Sequence, residues 1–144
     1  MNVKNHKGFT LGEVMMVLAI VILVTALMWP FISYSNQRLA KITCSNNLRK
    51  IGRALYIYAI EHEGQFPPAI KTLYDEEYLA DERLMDCPAS KAQGTTSSSD
   101  YIYTAGLTVR SPSRATLLRD KQTSHTGGGM NVLFVNGAVD WVEE

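Results

Sequence analysis

Between Phe9 and Gln37 the sequence lacks charge almost entirely, with Glu13 the single charged residue in that stretch. The chain as a whole shows no excess of either sign, its 14 basic residues balancing 14 acidic ones. No basic field therefore points to nucleic acid, and no acidic tail is present. The apolar run is not followed by an A-x-A-like site, which argues against a cleaved secretory signal peptide. Proline is missing from Ser33 to His62, and Gly52 is the one glycine there. No nucleophile elbow or oxyanion-forming motif accompanies the serines and histidines, so nothing supports a nucleophilic enzyme. The glycines of "HTGGGMN" lack the Lys and Ser or Thr of a phosphate-binding loop, and a strand-like run follows them instead of a helix. A flexible loop or β-bulge is expected there. Cysteine is scarce too: Cys44 and Cys87 permit one disulfide on a non-cytoplasmic domain, or two buried free thiols.

What is present begins with the apolar run. Val14–Ile32 holds 19 residues, mostly Val, Ile, Leu, Met and Ala, close to the roughly 20 needed to cross a bilayer. A retained membrane helix is expected. Lys4 and Lys7 before it and Arg38 and Lys41 after it leave the charge rule for orientation nearly even. Glu13 is then conspicuous, because an ionised carboxylate near a bilayer centre costs roughly 2.5–3.5 kcal/mol on insertion scales. It calls for a partner.

Beyond the run, Cys44, Leu48, Ile51, Leu55 and Tyr58 recur at spacings of three and four, the period of a helix with one apolar face. Arg38, Lys41, Asn46, Asn47, Arg49, Lys50 and Arg53 fall on the other faces. The spacing predicts one helix from Phe9 to about His62, roughly 80 Å at about 1.5 Å per residue, with Gly64 as its stop and Pro67–Pro68 barring continuation. Ile70, Leu73, Tyr74 and Tyr78 would share one side of a short helix, closed by a turn at "MDCPAS", and "KAQGTTSSS" reads as a polar loop. The stretches "YIYTAGL", "ATLLRD", "MNVLFVNG" and "AVDWVEE" are short, rich in β-branched and aromatic residues, and bounded by turn formers. Asn136–Gly137 between the last two is a strong hairpin signal. The expected class is α+β: a long amphipathic helix packed on a small antiparallel sheet, with Tyr56, Tyr58, Tyr101, Tyr103 and Trp141 in the core between them.

"KGFTLGEVMMV" resembles the leader and cleavage site of type IV pilins and type II secretion pseudopilins. The resemblance implies cleavage between Gly8 and Phe9 by a prepilin peptidase, N-methylation of Phe9, and an assembly role for Glu13, whose carboxylate would meet the Phe9 amine of a neighbouring subunit. Two buried opposite charges would then offset one another. Pro30 lies where many family members carry a helix proline, and would kink the helix or let it melt in a filament. Gly12 departs from the family, which usually has a bulky aliphatic residue before the acid. "CSNNLRKIGRALYIYAIEHEGQFPP", "MDCPAS" and "HTGGGMNVLFVNGAVDWV" resemble a broader group of bacterial pilin-like proteins that place His about ten residues before Asp-Gly; here the pair is Asn136–Gly137, after His125.

The resemblance implies a pilin fold with a leader at 1–8, a transmembrane and filament-core helix at 9–32, and a globular domain at 33–144. In that domain the helix would reach about 63, loop and short helix would fill 64–99, and strands would fill 100–144. It implies a homo-oligomeric helical filament, with a prepilin peptidase and an assembly ATPase and platform as partners. It further implies insertion in the bacterial inner membrane with a cytoplasmic N-terminus, then residence in an extracellular pilus or periplasmic pseudopilus. No cofactor and no direct nucleic-acid contact are expected. His125 with Asp120, Asn136 or Asp140 is a weak candidate for metal, set against a structural hydrogen bond. Three roles stay open: a pilus subunit, a major or minor secretion pseudopilin, and a membrane-anchored binding domain that never polymerises. The machine served (adhesion, motility, DNA uptake or secretion) is likewise open.

Overall fold

The structure, a computed structural model, describes residues 10–90, 94–95, 98–121, 125 and 128–143. It falls into two units that divide between Asn36 and Gln37. The first consists of the N-terminal part of helix α1, Leu11–Glu61. Its stretch Leu11–Pro30 is 20 residues of apolar helix with nothing buried inside the protein, so Leu, Ile, Val and Met side chains point outward on every side. That is the surface a hydrocarbon environment requires. Thr25 spends its hydroxyl within the helix, donating to the Val21 and Ile22 carbonyls, both at 2.9 Å. Pro30 lies inside the helix, where it can donate no bond to the Ala26 carbonyl.

In the second unit, α1 buries one stripe: Ala40, Cys44, Asn47, Leu48, Ile51, Ala54, Leu55, Tyr58 and Ala59. The helix ends with two left-handed residues, Glu63 at φ 55° and Gly64 at φ 82°. The Gly64 amide returns to the Ala59 carbonyl at 2.7 Å, the six-to-one closure of a Schellman ending. The expected short helix around Leu73 is a single turn, α2, Thr72–Asp75. Glu77 turns left-handed at φ 62°, and the Leu79 amide bonds back to Leu73 at 2.9 Å, so Tyr78 lies beyond the helix that was to carry it. A 3-10 turn follows at Glu82–Met85.

Four antiparallel strands form a meander in the order β1 (Tyr101–Tyr103), β2 (Thr116–Asp120), β3 (Gly129–Phe134) and β4 (Val139–Glu143). The register between β2 and β3 shifts between Thr116 and Leu118. That irregularity lets two successive leucines, Leu117 and Leu118, both bury in the helix–sheet core with Leu48, Ile51, Leu55, Tyr58, Tyr101 and Leu133. Tyr56 and Tyr103 pack on it from the edge. Gly52 allows close approach: a Cβ there would stand 3.0 Å from a Leu133 methyl.

Strand β3 is buried on both faces. Met130, Val132 and Phe134 form a second cluster with Val142 on the side away from α1, partly roofed by Arg114 over the Phe134 ring and by Arg119 at the Met130 sulfur. Charged side chains can cover apolar surface in this way with their stems. Trp141 corrects the expectation for the core. It is half-buried beside Lys41, His125 and Gly129, because its strand position turns it to the margin of the sheet. The hairpin signal lands where expected, but the loop has three residues, Val135–Gly137. The Gly137 amide bonds to the Phe134 carbonyl at 2.9 Å and the Phe134 amide to Ala138, also at 2.9 Å. Only Gly137 is left-handed, at φ 82°, as in a type I turn with a bulge.

Candidate functional site

Two constellations carry chemistry, and each is described within its own unit. The first is the start of α1. Thr10 precedes the helix and Glu13 occupies its first turn. The Glu13 carboxylate accepts from the Thr10 amide at 2.8 Å and from the Thr10 hydroxyl at 2.9 Å, while the Glu13 amide donates to the Thr10 hydroxyl oxygen at 3.3 Å. This reciprocal arrangement is a capping box, and it sets a negative charge at the positive end of the helix. Within one chain, then, the partner of Glu13 is Thr10. The role of Thr10 was missed in the sequence, although "TLGE" before an apolar run has the T-x-x-E form of that cap. Gly8 and Phe9 lie outside the described residues. At Gly12 a Cβ would meet open space, so the departure from a bulky residue leaves no gap in the single chain.

The second constellation lies at one end of the sheet. Cys44 on α1 and Cys87 after the 3-10 turn are joined by a disulfide, with Cα atoms 5.4 Å apart and a sequence separation of 43. Both are fully buried. Asp120, the last residue of β2, is also fully buried, and its Oδ2 lies 2.9 Å from His125 Nε2. Asn131 on β3 fixes that carboxylate, its backbone amide donating to Oδ1 and its side-chain amide to Oδ2, both at 2.8 Å. His125 Nε2 is 3.7 Å from Cys87 Sγ, and the His125 ring meets the Trp141 indole edge-on at 5.4 Å. Close by, Asp100 accepts from the Cys87 amide at 3.0 Å. Tyr101, hydrogen-bonded to Asn47, has its hydroxyl pKa pushed well above the ordinary phenol value, chiefly by burial.

Of the four residues weighed for metal, the structure brings together His125 and Asp120. It keeps Asp140 and Asn136 away: Asp140 is exposed and pairs with Arg114 at 3.6 Å, and Asn136 uses its side chain to accept from the Ala138 amide at 3.0 Å. Asp140 pairs with Val132 on the face of the sheet away from α1 and Asn136 lies in the hairpin loop, whereas Asp120 and His125 lie with Cys44 of α1 on the other face. Asn131, which orients Asp120, gave no local signal in the sequence, since its partner is on a neighbouring strand.

No family model and no solved structure matches the chain. Among curated proteins it is similar to competence protein ComGC of Bacillus subtilis (strain 168), with 30% identity over 87 residues that make up 60% of this chain and 86% of the relative. It is similar also to the ComG operon protein 3 homolog of Bacillus licheniformis, with 27% identity over 88 residues, 61% of this chain and 88% of that one. Joined to an apolar helix running on into a half-buried one, and to a four-stranded antiparallel sheet, this similarity identifies the chain as a member of the type IV pilin-like family that contains ComGC.

Proposed function

We propose that this protein is a structural subunit of a pilus-like filament serving competence, the uptake of DNA. The precursor is held in the membrane by the Leu11–Pro30 helix, cut between Gly8 and Phe9 by a prepilin peptidase, and polymerised by a dedicated ATPase and platform. The observation that carries this reading is the division of α1. Its first part exposes apolar side chains on every side, while its second part buries a single stripe against the sheet. The first part exchanges lipid for the helices of other subunits as the filament grows, and the chemistry is packing, not catalysis. Similarity to competence protein ComGC over most of that relative's length supports competence over secretion or adhesion.

In this mechanism Glu13 exchanges partners. In the free chain its carboxylate caps α1 through Thr10; in the filament it meets the Phe9 amine of the neighbouring subunit, which keeps a buried charge compensated. Glu13→Gln separates the two roles, because a glutamine side chain still closes a capping box but carries no charge. The expected outcome is a chain that mass spectrometry finds cleaved and methylated at Phe9, with filaments absent from sheared surface material by electron microscopy and transformation lost. Normal filaments from Glu13→Gln, with loss only in Thr10→Ala, would assign Glu13 to capping alone. A wild-type chain still carrying Met1–Gly8 would overturn the assembly reading and leave a membrane-anchored domain.

A further inference from the structure

We propose that, before its disulfide forms, this protein holds a zinc ion in a closed site made of Cys44, Cys87, Asp120 and His125. Four separate parts of the fold deliver these residues: α1, the segment after the 3-10 turn, the end of β2 and the segment before β3. One ligand atom from each lies within 4.8 Å of all the others, and all four residues are buried. A tetrahedral zinc with bonds of about 2.0–2.3 Å sets its ligand atoms about 3.3–3.8 Å apart. His125 Nε2 already stands 3.7 Å from Cys87 Sγ and 2.9 Å from Asp120 Oδ2. Opening the sulfur–sulfur bond lets the two sulfurs relax to the spacing of a metal-bound pair. The ion then takes the place of the hydrogen bond between His125 Nε2 and Asp120 Oδ2.

The donor set selects the metal. Two thiolates and an imidazole suit zinc, and they disfavour calcium and magnesium, which take oxygen ligands. A supporting residue is in place as well. Asn131 holds both carboxylate oxygens of Asp120 at 2.8 Å, the kind of outer hydrogen bond that orients a ligand in metal sites. Binding releases the two thiol protons. Zinc and disulfide exclude one another at this site. When an oxidant of the disulfide class acts, the two cysteine sulfurs give up two electrons and bond to each other. The oxidant's own sulfur–sulfur bond is then reduced to two thiolates, and the zinc ion leaves.

The test uses the full chain in detergent micelles, reduced with a phosphine, freed of reductant without air, and titrated with cobalt(II) as a zinc surrogate. The expected result is the visible absorption of tetrahedral cobalt with a thiolate charge-transfer band, saturating at one ion per chain and bleached by zinc. The disulfide form should give neither signal. Asn131→Ala should weaken binding about 10–100-fold, and His125→Ala should change the cobalt spectrum while the count of free thiols stays the same. An absent cobalt spectrum in the reduced chain would overturn the proposal. So would a spectrum and affinity unchanged by His125→Ala, which would mean that the two thiols alone capture metal. A reduced chain that loses its circular dichroism and does not regain it with zinc would overturn it equally.

Discussion

Asp120 is the residue on which most buried polar bonds converge. It accepts from both amides of Asn131 and pairs with His125 in a fully buried position. Asp120→Ala removes the acceptor of the Asn131 backbone amide and weakens the bonding of the Asn131 side chain and His125, and each buried group left unpaired costs about 1–3 kcal/mol. The urea midpoint of the disulfide form should fall accordingly, with Asp120→Asn milder because one acceptor oxygen remains. Asp140→Ala is the contrasting case: its pair with Arg114 is half-exposed at 3.6 Å, and such pairs contribute about 0–1 kcal/mol, so the same measurement should barely move. At this scale the sequence was legible only where a bond is local. The Thr10–Glu13 cap spans three positions and was open to reading, although the membrane setting expected for Glu13 drew attention to the missing counter-charge instead. The Asp120–Asn131 pairing spans 11 positions across two strands and depends on strand register, which no residue spacing discloses.

Among the elements, the contact between α1 and β3 is a close fit, because Gly52 faces Leu133 with no room to spare. Gly52→Val drives a branched side chain into that leucine and should lower stability by about 1–3 kcal/mol in denaturant titration, whereas Leu133→Ala beside it would reopen the space and rescue part of the loss. In the β3–β4 hairpin, Gly137 sits at φ 82°. Gly137→Ala should cost about 1–2 kcal/mol, the usual penalty for a side chain in the left-handed region. The helix stripe and all four strand locations could be read from period and turn chemistry. The end of α2 could not, because a non-glycine residue, Glu77, takes the left-handed conformation that stops it. The hairpin loop came out one residue longer than Asn-Gly suggests, because Asn136 stays in the ordinary region and leaves the positive φ to Gly137 alone.

Across the whole molecule, the disulfide joins the long helix to the segment that carries the 3-10 turn, closing a loop of 43 residues in sequence separation. In the chain-entropy account, closure of that length stabilises the fold by about 4 kcal/mol. Denaturation of the full chain in detergent with and without reductant should therefore show a large shift of midpoint in metal-free buffer. The α+β class was legible because an uninterrupted helical stripe is followed by short β-branched runs. The burial of β3 on both faces was not. Its apolar stretch from Val132 to Val135 is equally compatible with one face open to water, and the arginines that roof the outer face come from elsewhere in the chain.

Trp141 has a consequence of another kind. The protein has two tryptophans: Trp29 belongs to the apolar first part of α1, and Trp141 touches the His125 ring and lies under the Lys41 ammonium, 3.4 Å from its ring centre. A Trp29→Phe chain would leave a single emitter seated against the histidine beside the disulfide. Its fluorescence is then an optical gauge, built into the fold, of whether that corner is bridged, opened or charged.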